Sequence, residues 1–562
     1  MRIKQKEKWF GSAAKGLLLA GGMTLVWAAG AWAEPATKGG TLTVRLSAWP
    51  ESFNALTGGD TYSGMLHNFV HITLLDRSMK DFEPIPSLAT KWELAKDRKT
   101  MTFQIRKDVT FADGSPVTIE DVKFSYELTY DIKRCVKCED VRSYIGPMEW
   151  VKVVDDKTIQ VKAKNEHFEN VERFGAVPIL KKAHYEKKDF NKDYERDLFG
   201  AGPYVYDDKG STFRKTVVLK RRSGYWMEKD PYYGSQYNFD KIVFKLIEDD
   251  TVAWEAFKKK DLDFYTFGLK SYKWWDDATK APFTDKNMGR ITAPLIYPSS
   301  WGGVALNMRK GPLSDVKFRK ALQFAFNREL MINKLFQNHF RPVSGPFAYK
   351  SKYSADLAAT PYDVKKAGAL IKEAGFTKVG SDGVLYREVN GVKERASFEL
   401  MYATNAHDQW ITMYKEDLKK LGVELRTKLT DWSAAQKQLS EFKFDSFVIG
   451  WAGDPTPGPE QLFSGKYADI QNSSNYSGLK NPKIDELIEK APIQTDANKR
   501  VAMYKEMEKL IVDAQPYIFR WTDKEHLVAY WKDRLNPTAT PFYKYSGSAE
   551  RKSFFVHWMK AK

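Results

Sequence analysis

Cysteine is almost missing from this 562-residue chain, which carries two, Cys135 and Cys138. One Cys-x-x-Cys pair leaves a zinc site half built, and no second ligand pair accompanies it. Haem attachment would require histidine at 139, where Glu139 stands. A redox centre would require a thioredoxin-like βαβ setting. In an oxidising compartment the pair most simply closes a small local disulfide. Long apolar runs are scarce too: beyond residue 33 no stretch reaches the ~18 apolar residues of a membrane-spanning helix. Catalytic signatures are also lacking. There is no Gly-x-Ser-x-Gly elbow, no His-Glu-x-x-His, no Walker loop and no Gly-x-Gly-x-x-Gly fingerprint. An enzyme would have to rest on a scattered set of groups, and is the distant alternative.

What is present begins with a leader. Arg2, Lys4, Lys6, Lys8 and Lys15 precede an apolar run over 16–30, followed by Ala31-Trp32-Ala33 and then Glu34. This is the pattern of a secretory signal peptide spanning 1–33 and cleaved after Ala33. No cysteine stands at the cleavage point, so no lipid anchor is expected. The formal charge of +17 falls to +13 once the leader's five basic residues and Glu7 are removed. The remaining basic residues are dispersed among acidic ones, and an exported protein rarely meets nucleic acid, so no nucleic-acid partner is expected. With 29% charged and 43% hydrophobic residues, the chain reads as a soluble globular protein of two or three domains.

Along the mature chain, residues 41–46 alternate as a first strand, and Trp49 lies in the loop that follows. Residues 62–75 read as a helix with His67 and His71 at i,i+4. That spacing suits a metal, but no third ligand is close in sequence. Residues 99–105 alternate, 111–116 form an Asp-Gly turn, Thr118 caps a helix over 119–130, and 151–161 read as a hairpin. Helices are expected from Ser314 through Asn333, and from the cap Asp363 to a stop at Gly375.

The most informative stretch runs from residue 398 to 454. Strands at 398–402, 423–429 and 444–449 alternate with helices at 408–421 and 433–442. This β-α-β-α-β order implies a parallel sheet with right-handed crossovers. Ligands of such sheets bind outside the carboxyl ends of the strands. The three ends lead into Thr404-Asn405-Ala406-His407, Asp431-Trp432, and a loop holding Trp451 and Asp454. An aromatic and a carboxylate three residues apart offer apolar area and an anchor for a cation or several donors. Alone, Trp451 and Asp454 would read as a core residue beside a turn; three converging strand ends turn them into a candidate site.

Several stretches resemble the family 5 periplasmic solute-binding proteins of ABC importers, the peptide, oligopeptide and nickel-binding class. The most specific is Phe103-Gln104-Ile105-Arg106-Lys107-Asp108-Val109-Thr110-Phe111-Ala112-Asp113-Gly114-Ser115-Pro116-Val117-Thr118-Ile119-Glu120-Asp121-Val122. Gly202-Pro203-Tyr204, the Tyr225-Trp226 region, the 315–328 helix, Tyr362-Asp363 with Lys366-Ala367, and Asn481-Pro482 with Asp485 and Leu487 are similar to further family motifs. The loops 457–461 and 185–190 look like the branch that takes larger peptides and microcin C-like compounds.

The resemblance implies an α/β fold of two lobes and a hinge, with an inserted β-rich third domain. Lobe I would comprise 34–78, 196–290 and 518–562, the insert 79–195, and lobe II 291–517. The implied role is an extracytoplasmic, periplasmic receptor that closes on peptides and delivers them to an inner-membrane permease, as a monomer without cofactor or metal. Oligosaccharides or a metal complex are the alternative ligands. Asp454 would pair with a peptide amino terminus, with Trp451, Trp432, His407, Trp49, Trp301 and Arg520 as further ligand-binding candidates. The chain departs from the family's carboxylate clamps at two places. Val448 stands where oligopeptide binders can carry arginine, and Ala403, Thr404 and Asn405 where dipeptide binders do.

Overall fold

The computed structural model describes residues 38–50, 52–58, 60–78, 82–187, 189–190, 192, 196–230, 233–234, 236–268, 271–276, 282–294, 299–471, 473–537 and 558–561. The expected leader, 1–33, lies outside them. The chain opens on β1 (Thr41–Leu46), whose alternate residues Leu42, Val44 and Leu46 are buried. Helix α1 (Thr61–Val70) follows, capped by Asp60. It stops at His71, short of the expected 75, because the Val70 carbonyl accepts from Gly202 N–H at 2.7 Å instead of continuing the helix. A Cβ at Gly200 would sit 2.1 Å from that carbonyl oxygen, so only glycine lets the two segments meet.

A β-rich unit follows: β2 (Ala89–Leu94), β3 (Thr100–Ile105), helix α2 (Ile119–Tyr130), β4 (Met148–Asp155) and β5 (Thr158–Ala163). Its antiparallel sheet has the order β2-β3-β5-β4. Helix α2 starts where expected, on a capping box in which Thr118 and Asp121 exchange hydrogen bonds. Cys135 and Cys138 are joined by a disulfide and buried against Phe124, Leu128 and Tyr185. The chain then adds β6 (Tyr204–Tyr206), β7 (Thr216–Arg221) and β8 (Lys241–Leu246) to β1, in the order β1-β8-β7-β6.

Two segments link this part to the second half. The first runs from β9 (Phe264–Phe267) and β10 (Met288–Pro294) into β11 (Trp301–Leu306). Helices α3 (Val316–Phe324) and α4 (Arg328–Phe336) follow, where one helix over 314–333 is expected. The break lies at Asn327, which caps α4 and turns Arg328 inward onto the carbonyls of Val343, Thr360 and Arg520. Then come β12 (Ser397–Tyr402), α5 (Asp408–Lys420), β13 (Glu424–Leu429), α6 (Trp432–Ser440) and β14 (Ser446–Trp451). The long helix α7 (Ala497–Ala514) leads to β15 (Tyr517–Phe519), and the second linking segment passes through β16 (Trp521–Asp523) to β17 (Glu525–Trp531).

The central sheet has the order β13-β12-β14-β11-β15. β12 runs parallel to both β13 and β14, the arrangement expected of β-α-β-α-β, while β11 is antiparallel to β14 and β15. Both faces are covered. Val304, Leu306, Leu400, Val448 and Ile518 pack on one side, and Trp301, Ala305, Met401, Phe447, Ile449 and Tyr517 on the other. Burial on both faces explains why β14 reads as a continuous apolar run. The first of these cores continues through Trp521 and Phe340 to Trp531 of β17, so apolar packing runs unbroken along the linking strands.

Candidate functional site

Strand β14 runs further than expected: Trp451 is its last residue, not part of the loop that follows. The ladder to β11 extends through Gly302–Gly450 to Trp301–Trp451, which holds the indole at the strand terminus. The two indoles lie 6.4 Å apart, and Trp451 stacks on Tyr476 at 5.9 Å. Trp301 is buried at 5% exposure and packs edge-on to Tyr517, so it backs Trp451 from within the core. Trp451 is half-buried and presents the remaining surface.

On the opposite face of the same ladder, Gly302 and Gly450 leave a gap. Paired residues of an antiparallel ladder point to one side, and neither supplies a side chain. Gly450 is exposed, and a Cβ there would meet only the Trp301 carbonyl, 3.9 Å away. A Cβ at Gly302 would meet both Arg520 Nη2 and the Trp521 carbonyl oxygen, each at 3.1 Å. Arg520 follows β15, is 5% exposed, and has its Cζ 5.0 Å from the Trp410 ring and 5.2 Å from Trp521. Burial alone lowers its guanidinium to about 9.

His407 ends the loop leaving β12 and is half-buried; its Nδ1 accepts from the Trp410 indole N–H at 3.2 Å. Trp410 therefore connects His407 to Arg520. Asp431 and Trp432, at the end of β13, have local roles. Asp431 caps α6 by accepting from Ala434 N–H, and Trp432 begins that helix, 53% exposed, with Phe447 as its aromatic neighbour. The helix starts one residue earlier than expected because Asp431, not Trp432, is the cap.

Asp454 lies three residues beyond β14 and is exposed. Its field reaches Arg77 of the first half. Burial opposes the Arg77 charge, but Tyr144, Glu169, Glu172 and Asp454 together hold this guanidinium above its ordinary range. Trp49 stands apart from the strand ends, half-buried against Phe53 and Phe213. The structure thus brings Trp451, Trp301, His407 and Arg520 to one end of the central sheet and leaves Trp49 in the loop after β1. His67, half-buried, and His71, buried, make an edge-to-face pair with centroids 5.6 Å apart. His67 Nε2 bonds the Phe53 carbonyl, and among the described residues no group of three or more His, Cys, Asp or Glu is placed to hold a metal.

Sequence reasoning missed Trp410, Gly302 and Gly450. A usable signal was present: glycine inside an apolar strand marks a close approach by backbone or ligand, and both Trp-Gly-Gly-Val and Val-Ile-Gly-Trp carry it.

Residues 83–473 match the family model of the bacterial extracellular solute-binding proteins, family 5. The chain belongs to this family. It is 25% identical over 561 residues to the probable peptide-binding protein YejA of Agrobacterium fabrum, covering 90% of this chain and 88% of that one. Among solved structures, the oligopeptide-binding protein AppA of Bacillus subtilis in complex with a nonapeptide superposes with a TM-score of 0.75 at 23% identity, covering 94% of this chain and all of that one. NikZ of Campylobacter jejuni in complex with Ni(L-His) superposes at 0.76 and 20% identity, covering 92% and 99%. The fold is the family's two-lobe α/β arrangement, and no helix among the described residues is long and apolar enough to cross a membrane.

Proposed function

We propose that this chain is the extracytoplasmic receptor of an ABC importer and that its ligands are peptides. The observation that carries this reading is the end of β14, where a half-buried Trp451 backed by Trp301 lies three residues before an exposed carboxylate, Asp454. An aromatic shelf accepts varied side chains at low entropic cost, and a carboxylate neutralises an ammonium group. In this reading Asp454 holds the peptide amino terminus, Trp451 and Trp432 contact its side chains, and Trp49 meets it from the other lobe.

The lobes divide at residues 291–517 against 34–78 with 196–290 and 518–562, the 79–195 unit being inserted. The linking strands β10–β11 and β15–β17 form the hinge, and closure follows the differential contact a ligand makes with the two lobes. The chain works in the periplasm after removal of residues 1–33, without a lipid anchor, as a monomer that docks on an inner-membrane permease, and it turns nothing over.

Native mass spectrometry of the purified protein tests this reading. Peptide masses released from the cleft support it. Thermal-shift screens with peptides, oligosaccharides and nickel–histidine decide between ligand classes, and stabilisation by sugars or the nickel complex alone would replace the peptide assignment.

A further inference from the structure

Among the described residues three arginines are buried, and two of them give their guanidinium donors to backbone carbonyls. Arg319 donates to the carbonyls of Leu313, Ser314, Ala514 and Gln515. Arg328 donates to those of Val343, Thr360 and Arg520. Arg520 is as buried as either, yet its guanidinium makes a single hydrogen bond among the described residues, a 3.5 Å contact from Nη2 to the Ile449 carbonyl. Its Nε is buried with no partner. A guanidinium has five donors in a planar fork, and burying them unmet is costly. The indole faces of Trp410 and Trp521 answer the charge of Arg520 without using its donors.

We propose that Arg520 is the binding site for a carboxylate of the ligand, reached through the slot that Gly302 and Gly450 leave open. This rests on the reading of the chain as a peptide receptor, and it assigns the peptide's carboxyl end. The slot opens at Gly450, which is exposed, and closes on Nη2 of Arg520, against which a Cβ at Gly302 would press. A carboxylate matches the fork in two parallel N–H···O bonds, and among the described residues no acidic side chain lies in ion-pair contact with Arg520. The site also explains how the chain manages without arginine at 448 and 403–405, since the cation enters from the linking segment instead of from β14 or the loop after β12. Placing it there gives the ligand contact with the strands that join the lobes. Burial alone lowers the basicity of this guanidinium.

The test is a competition on the full exported chain, read by native mass spectrometry. An equimolar pool of synthetic tri- and tetrapeptides is offered, each sequence present both as the free acid and as the carboxyl-terminal amide. Wild type should retain acids over amides by at least about tenfold, the range of a charge-assisted bidentate pair. Arg520→Met should bring the ratio to about one, and Arg520→Lys, which keeps the charge without the fork, should fall between. Wild type holding acids and amides equally overturns the proposal without reference to any variant, and so does undiminished discrimination by Arg520→Met. If neither form of any peptide binds, the peptide reading fails, and formate against formamide then tests the anion site alone. Formate stabilising wild type but not Arg520→Met in a thermal shift upholds it; equal shifts with both additives refute it.

Discussion

Phe168 of the β-rich unit lies against Arg500 of helix α7, with the guanidinium Cζ 4.1 Å from the ring centroid, and its backbone N–H donates to the Pro492 carbonyl at 2.9 Å. The ring packs on the core that includes Tyr504 and Met507. These contacts join two units that the proposed hinge would separate, so in that reading they would favour a closed arrangement from outside the proposed ligand site. Phe168→Ala removes apolar burial and a cation–π contact, together about 1–3 kcal/mol. The variant should favour the open form and bind ligand several-fold to about a hundredfold more weakly, with its amino-end and carboxyl-end preferences intact. Small-angle scattering and calorimetry check this. Unchanged affinity and unchanged compaction would mean the contact contributes nothing to closure.

Asp454→Asn isolates the amino-end anchor. The change is isosteric and removes only the charge. Affinity for peptides with a free amino terminus should fall at least about tenfold, while N-acetylated peptides, already weak, should be little affected. Calorimetry with paired free and acetylated peptides is the measurement. Equal losses for both forms would relocate the amino-end site.

Gly450→Val separates the slot from the fold. The backbone at Gly450 is ordinary strand, and a Cβ there meets nothing closer than 3.9 Å, so a β-branched residue should leave stability within about 0.5 kcal/mol. It should nevertheless fill the opening toward Arg520 and weaken binding of free-acid peptides. A variant that melts like wild type and binds like wild type would show that ligands do not enter there.

Much of this architecture is legible from residues alone, for identifiable reasons. The helix over 119–130 carries its own start signal in Thr118, which caps it as expected. The parallel arrangement of β12, β13 and β14 follows from alternating short apolar runs and amphipathic helices. Failures occur where a distant segment decides a local outcome. Helix α1 ends early because Gly202 takes the Val70 carbonyl, and the 314–333 helix breaks because Arg328 is drawn to carbonyls as far away as Arg520. At the site, the strand ends announced Trp451 and His407. The Gly302–Gly450 opening did not stand out, because a gap exists only once two strands 148 residues apart are paired in register.

His67 and His71 contribute to the response to acid. Burial holds His67 down to about 4, against weaker support from the Phe53 carbonyl and Asp60, and burial with the neighbouring His67 holds His71 down to about 3. Both folded values lie below the ordinary 6.5. Between about pH 6.5 and 4 the unfolded chain therefore takes up protons that the folded chain refuses, and stability falls as pH falls. Each group contributes a slope of up to about 1.4 kcal/mol per pH unit in that window, so the pair should cost a few kcal/mol by pH 4.5. His167, lowered to about 3 by burial and by Arg173 and Arg500, acts in the same direction, so the difference between variant and wild type is the quantity to read. His71→Leu should flatten the acid limb by one proton's worth. It should not reduce stability at pH 7.5, because both nitrogens of His71 are buried without a hydrogen-bond partner and an apolar side chain removes that cost. Urea unfolding of both proteins from pH 7.5 to 4.5 measures the two slopes. Parallel curves would mean that His71 is protonated, or exposed, in the folded protein.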